Sequence, residues 1–275
     1  MTSAHQNQSG ELRLLHWNIH SWRDDAGASN LESVINLVRA TDPHVVSLVE
    51  VDESWGRPSE LAEVAERCGY SSIFVPIFEF GNDAPAGGFG NALLSKLPIL
   101  AVRQRQLLWP PKLYVGSEPS EQRSVLFAKF QTSTRPVWIG STHLPRSEAE
   151  AKADAAQRLV AMTQKLTDQW LLLGDFNMPA SVWLDAYPFL AAYPMPAKPT
   201  YPAKDPVEPI DYCMAPQELP VQAEVLIEVG SDHLPVLVAY TNTTPDRRKF
   251  DSAAGSNSAA YRRSQWGPAT GPESA

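Results

Sequence analysis

Only two cysteines, Cys68 and Cys213, occur in the 275 residues. They lie far apart without metal-binding spacing, which excludes a disulfide-stapled scaffold and a thiolate metal site and reads as two reduced, buried thiols. No apolar run approaches the roughly 20 residues a membrane helix requires; the stretches around Val45 to Val51 and Leu171 to Leu173 are far shorter. The polar N-terminus MTSAHQNQSGE lacks the apolar centre of an export signal, so a cytoplasmic protein is expected. Positive charge is also scarce, with 23 Lys and Arg against 31 Asp and Glu and a formal net charge of −8. That argues against a protein holding nucleic acid through a broad basic surface. It leaves a nuclease open, because a bound cation supplies its own local charge.

What is present suffices for a large core: 43% of residues are hydrophobic and 9% aromatic, and β-rich folds reach this length as one domain. The expected organisation is a flexible leader over 1–11, one mixed α/β domain over 12–241, and a disordered tail over 242–275 rich in Ser, Gly, Ala, Pro and Arg. Strands are expected at Leu12 to Trp17, Val45 to Val51, Ile73 to Ile77, Ala92 to Ser95, Leu100 to Leu108, Val125 to Phe130, Val137 to Thr142, Trp170 to Leu173, Ile210 to Met214, Val221 to Ile227 and Pro235 to Tyr240. Ser29 with Glu32 and Ser147 with Glu150 have capping-box spacing at the heads of two helices, the second running to about Leu166. Leu61, Val64, Ala65 and Cys68 mark a third helix, stopped by Gly69. No internal sequence repeat is visible.

Polar residues then recur where these strands end. Asn18 follows the first strand, and Glu50 stands in an apolar one, where an ionised carboxylate needs a partner or a metal. His143 closes WIGSTH. Asp175 and Asn177 follow LLLG, two residues apart on what would be one face of an extended chain. Asp211 lies inside PIDYCM, and Asp232 and His233 precede a strand; a buried aspartate and a histidine satisfy one another, so an Asp211–His233 pair is expected. Each segment alone also reads as an ordinary polar turn, an ion-paired strand end or a satisfied structural histidine. Together they supply what phosphoester hydrolysis needs: oxygen ligands for a cation, a group to activate water, and donors for developing charge.

In order and spacing these segments resemble the endonuclease/exonuclease/phosphatase superfamily over about Leu12 to Tyr240. The resemblance implies a four-layer α/β/β/α sandwich of two mixed β-sheets flanked by helices, with Mg²⁺ or Mn²⁺ held by Asn18, Glu50 and Asp232. It further implies that Asp175 and Asn177 position and activate water, that His143 stabilises the phosphate or leaving group, and that Asp211 and His233 form a pair. Asn91, in GFGNALLSK, would lie close to the site, and Arg123, a looser match, would face the phosphate. Val49 departs from the glutamine many members carry there, and Tyr114 is the only nearby counterpart to a phosphate-facing tyrosine of abasic-site enzymes.

The resulting expectation is a divalent-metal-dependent hydrolase of phosphoesters, a phosphodiesterase or nuclease first, with a phosphomonoesterase acting on a small or lipid-derived phosphate as the alternative. A catalytically silent binding protein on the same scaffold is the reading from a different class. The partner is a phosphoester substrate, nucleic acid among the candidates, and a monomer is the default. The segments Gly81 to Phe89, Leu108 to Gln122 and the proline-rich Tyr193 to Glu208 are expected to choose the substrate.

Overall fold

The computed structural model describes residues 10–53, 58–80, 87–107, 122–146, 149–228 and 230–242. Tyr114, Ser147 and the tail from 243 onward lie outside them, as do 1–9 of the leader, 81–86 of the first substrate segment and 108–121 of the second.

Among the described residues twelve strands form two six-stranded sheets. In chain order they are β1 Glu11–Asn18, β2 Val45–Glu53, β3 Ser71–Phe80, β4 Gly87–Ser95, β5 Ile99–Leu107, β6 Arg123–Phe130, β7 Val137–His143, β8 Trp170–Asp175, β9 Leu190–Tyr193, β10 Asp211–Pro216, β11 Val221–Val225 and β12 Val236–Thr241. The helices are α1 Leu31–Thr41, α2 Glu60–Cys68, α3 Ala149–Thr163 and the one-turn α4 Ser181–Leu184. The first sheet has the order β11-β12-β1-β2-β4-β3 and the second β5-β6-β7-β8-β10-β9. Each is antiparallel except for one parallel pair, β1 with β2 and β7 with β8, and those pairs are joined by α1 and α3, as a parallel connection requires.

The alternation of side chains builds the layers. Leu15 and Trp17 of β1 and Val46 and Leu48 of β2 pack with α1 and α2. Their neighbours Leu12, Leu14 and Val45 meet Ile139, Leu171, Leu173 and Cys213 between the sheets. On the far side Trp138, Leu172 and Tyr212 pack under α3 through Leu159 and Val160. Three apolar interfaces separate four layers, so the expected α/β/β/α sandwich is the observed fold.

Local details differ from the sequence reading. Helix α1 has Asn30, not Ser29, at its N-cap, and the Asn30 side chain does not cap the helix. Its amide instead donates to the carbonyls of Ile19, Arg23 and Gly230, tying the loop after β1 to the segment before His233. The short strand β9 and helix α4 were not anticipated; β9 is the alanine-rich sequence LAAY, without the β-branched signal that marks the other strands. Cys68 and Cys213 are free, but only Cys213 is buried. Among the described residues no helix is long and apolar enough to cross a membrane.

Candidate functional site

Along each central strand the residues facing between the sheets change from apolar to polar toward one end. β1 carries Leu12, Leu14, His16 and Asn18; β7 carries Val137, Ile139, Ser141 and His143; β8 carries Leu171, Leu173 and Asp175. The parallel pairs put the C-terminal ends of β1 and β2 together and those of β7 and β8 together. Hydrogen bonds across the sandwich then join the two ends. The Asn18 amide donates to Glu50 Oε1 at 2.9 Å and to Asp175 Oδ2 at 3.1 Å.

Glu50 reaches this position through a backbone irregularity. β2 slips against β4 between Leu48 and Val51, and Glu50 within that bulge has φ +57°. A left-handed glutamate in a strand is strained, and a bulge re-aims a side chain out of the regular alternation. The carboxylate is therefore not the buried one the apolar run suggested; its side chain is 22% exposed, against 2% for Asp175.

Asp175 and Asn177 also meet differently than expected. β8 ends at Asp175, and Asn177 turns left-handed with φ +51° while its N–H donates to Asp175 Oδ1 at 2.9 Å. The pair converges through an Asx turn and not through an extended face. The preceding Gly174 is required by close approach, since a Cβ there would lie 2.5 Å from the Thr142 carbonyl oxygen. The Asn177 side chain donates to the Leu144 carbonyl, and the Lys152 ammonium of α3 caps the Asn177 carbonyl at 2.8 Å.

His143 is held from both sides. Arg123 lies 3.1 Å from Nδ1, and since a guanidinium only donates, Nδ1 accepts. Nε2 lies 3.1 Å from the Asn177 amide nitrogen and 3.3 Å from Asp175 Oδ2. Burial, then the charges of Arg123 and His233, hold this imidazole well below its usual range, so it is neutral. Asn91 is buried beside them with its amide donating to the Ser124 carbonyl at 3.1 Å, next to Arg123.

The expected Asp211–His233 contact is present at 2.8 Å through His233 Nδ1, and His233 Nε2 lies 3.7 Å from Asp175 Oδ2. Thr200 also donates to Asp211 Oδ2 at 2.7 Å. Burial, with the charge of Asp211 beside it, pushes the Asp175 carboxyl up to about 7. Burial would raise Asp211 too, but His233 and His16 outweigh it and hold that carboxyl below the usual carboxylate range. Burial opposes charging His233, yet Asp211 and Asp175 prevail and push the imidazolium up to about 10.

Asp232 Oδ1 lies 3.8 Å from Nδ1 of His20, which follows Asn18 in a turn of three consecutive left-handed residues, His20 to Trp22. Among the described residues two groups of side chains have ligand atoms close enough for an ion, Glu50 with His143 and Asp175, and Asp175 with Asp211 and His233; Asp232 belongs to neither. Glu50 is the more open carboxylate of the cluster, while Asn18 is fully buried with its Oδ1 accepting from the His20 N–H at 3.1 Å; carboxylate and amide oxygens of this kind suit a hard divalent cation that keeps several waters.

The sequence reading missed His16, His20, Lys152 and Thr200, and placed Tyr201 only within the substrate-choosing segment Tyr193 to Glu208. The Tyr201 ring packs on His233 with centroids 4.7 Å apart, and the Arg146 guanidinium sits 5.4 Å from the Tyr201 ring centre. Only His16 and His20 carried a local signal, the alternation His16, Asn18, His20 at the end of β1; the others come from segments distant in sequence.

Solved structures with the same fold include an endonuclease/exonuclease/phosphatase from Beutenbergia cavernae DSM 12333, at 22% identity over 83% of this chain and 71% of that one, TM-score 0.62. The mannosyl-6-phosphatase Bt3783 of Bacteroides thetaiotaomicron VPI-5482 is similar at 16% identity over 82% and 98% of the two chains, TM-score 0.63. TDP2 from C. elegans is similar at 14% identity over 84% and 75%, TM-score 0.60. No curated protein sequence gives a significant match. Residues 15–233 match the Endonuclease/Exonuclease/phosphatase family, a span that holds every strand-end residue from Asn18 to His233, and the chain belongs to that family.

Proposed function

We propose that this protein is a divalent-metal-dependent phosphoester hydrolase, with phosphodiesters as its first substrate class. The observation that carries the reading is the buried triad of Asp175, Asp211 and His233, in which one carboxyl is pushed up to about 7 while the imidazolium beside it is pushed up to about 10. A carboxyl partly ionised at neutral pH beside a protonated imidazole supplies a base and an acid within reach of one reacting centre.

Glu50 and Asn18 would hold Mg²⁺ or Mn²⁺, with Asp232 completing the set from the neighbouring loop; such an ion neutralises charge on a phosphoryl oxygen. Asp175, held by Asn18 and by the Asn177 N–H, accepts the proton of the attacking water. His233, kept charged by Asp211, donates from Nε2 to a phosphoryl or leaving oxygen. The family resemblance gives His143 the phosphate or leaving group; between Arg123 on one side and Asn177 and Asp175 on the other, it also orients Asp175. Asn91 is likewise a support for the Arg123 segment, since its amide is engaged by Ser124.

A phosphomonoesterase is the second reading, favoured by the likeness to the fold of a mannosyl-6-phosphatase and by the acidic composition. The test is hydrolysis of bis-p-nitrophenyl phosphate, p-nitrophenyl phosphate, a sugar phosphate and single-stranded DNA, each with Mg²⁺, Mn²⁺ or chelator. Metal-dependent diester cleavage is expected. Monoester cleavage alone selects the second reading, and no cleavage of any substrate rejects both in favour of a binding protein.

A further inference from the structure

Beneath the Asp175–Asp211–His233 group lies a second polar layer that the hydrolytic chemistry does not call on. His16, Ser47 and Ser141 face between the sheets one inward position below the strand ends, each about as deeply buried as the surrounding core. Ser47 donates to Ser141 Oγ across the sandwich at 2.8 Å, and His16 Nδ1 lies 3.1 Å from Ser47 Oγ. His16 Nε2 points at Asp211 Oδ1 at 3.4 Å. Neither of these two atoms has another hydrogen-bond partner, and both side chains are fully buried. A lone pair aimed at a carboxylate oxygen would be repelled, so Nε2 carries a proton toward Asp211.

The two oxygens of Asp211 are thereby divided. Oδ2 receives Thr200 and His233, while Oδ1 faces only His16. A carboxylate held at one oxygen can rotate about its Cβ–Cγ bond; one held at both cannot without losing a buried contact. We propose that His16 is a positioning residue, which, anchored on the first sheet by Ser47, fixes the carboxylate plane of Asp211 on the second sheet and through it the orientation of the His233 ring. Groups of this kind behind a reacting residue change activity by about 10- to 100-fold when removed. The polar layer also explains why the sequence reads LLHWN and VVSLV where pure core would place aliphatic residues.

This inference rests on the hydrolase reading for its kinetic test but not for its spectroscopic one. The His233 Nδ1 proton shared with Asp211 is to be followed by its low-field proton NMR resonance in wild type, His16→Leu, His16→Gln and Ser47→Ala. Loss or broadening in His16→Leu, with return in His16→Gln, whose amide can reach the Nε2 position, is expected; an unchanged resonance in His16→Leu overturns the proposal. If His16→Leu does not fold, Ser47→Ala takes its place, and an unchanged resonance there overturns the proposal equally. In the active enzyme His16→Leu should lower kcat about 10-fold or more with KM little changed, and should add nothing to Asp211→Asn, because both act through the same carboxylate. Additive losses overturn the proposal, whereas a wild-type enzyme without activity rejects the hydrolase reading and leaves the resonance to decide on His16.

Discussion

Set side by side, the two sheets are the same drawing made twice. Their strand orders correspond position by position, β11-β12-β1-β2-β4-β3 against β5-β6-β7-β8-β10-β9, each with its single parallel pair at the same place. The polar residues correspond as well: Asn18 with His143 at the ends of β1 and β7, Glu50 with Asp175 on β2 and β8, Asn91 with Asp211 on β4 and β10. No repeat is visible in the sequence because the shared features are pairing order and polarity, not identical residues. The first sheet offers a carboxylate on a strained bulge, more open to solvent. The second keeps two carboxylates and His233 buried against one another; burial raises Asp175, while the mutual charges, against burial, hold Asp211 low and His233 high. Under the proposed function, equivalent positions would take different chemistry, a cation-holding edge from one sheet and a proton-transferring group from the other.

This division is open to tests of decreasing effect. Asp175→Asn should lower kcat by about 10³-fold, the usual scale for losing a positioned base, and leave the Mg²⁺ concentration for half-maximal rate unchanged. Glu50→Gln should do the reverse in kind, raising that Mg²⁺ concentration while saturating metal restores much of the rate. Titration of activity against Mg²⁺ in both variants separates them, and indistinguishable metal curves would break the comparison. Gly174→Ala should cost about 1–3 kcal/mol by pressing a methyl into the Thr142 carbonyl between the parallel strands, read by urea denaturation.

The smallest expected effect is on pH-dependent stability of the chelator-treated protein. His233 is raised from 6.5 to about 10, so its contribution is fully present below pH 6.5 and is lost as pH climbs through 10. Asp175, raised from 3.8 to about 7, has already imposed its opposing cost by pH 7. The fall in Tm between pH 7.5 and about 9, below the range where the buried Cys213 thiol adds its own cost, therefore belongs to His233, and His233→Gln should flatten it.

Much of the fold was legible because buried strands announce themselves as short apolar runs: VVSLVEV, VWIGST and WLLLG all became central strands with boundaries shifted by a residue or two. The order of strands was not, since pairing depends on contacts between segments far apart in the chain. In the site, the strand-end residues were legible as costly polar groups after apolar runs. The bulge at Glu50 was hidden, because a left-handed backbone is set by pairing with β4 and leaves no mark on the sequence VVSLVEV. His16, Ser47 and Ser141 were visible as breaks in an every-second-residue apolar pattern, but attention to strand ends passes over residues one step inside. Thr200 and Tyr201 reach Asp211 and His233 only through the tertiary placement of the proline-rich segment.

The claim that the first sheet carries the metal and the second the proton chemistry is tested most directly by locating the ion. Crystals grown with Mn²⁺ should show a single-site anomalous peak at the Glu50 carboxylate beside Asn18. A peak enclosed by Asp175, Asp211 and His233, with none at Glu50, would contradict the account.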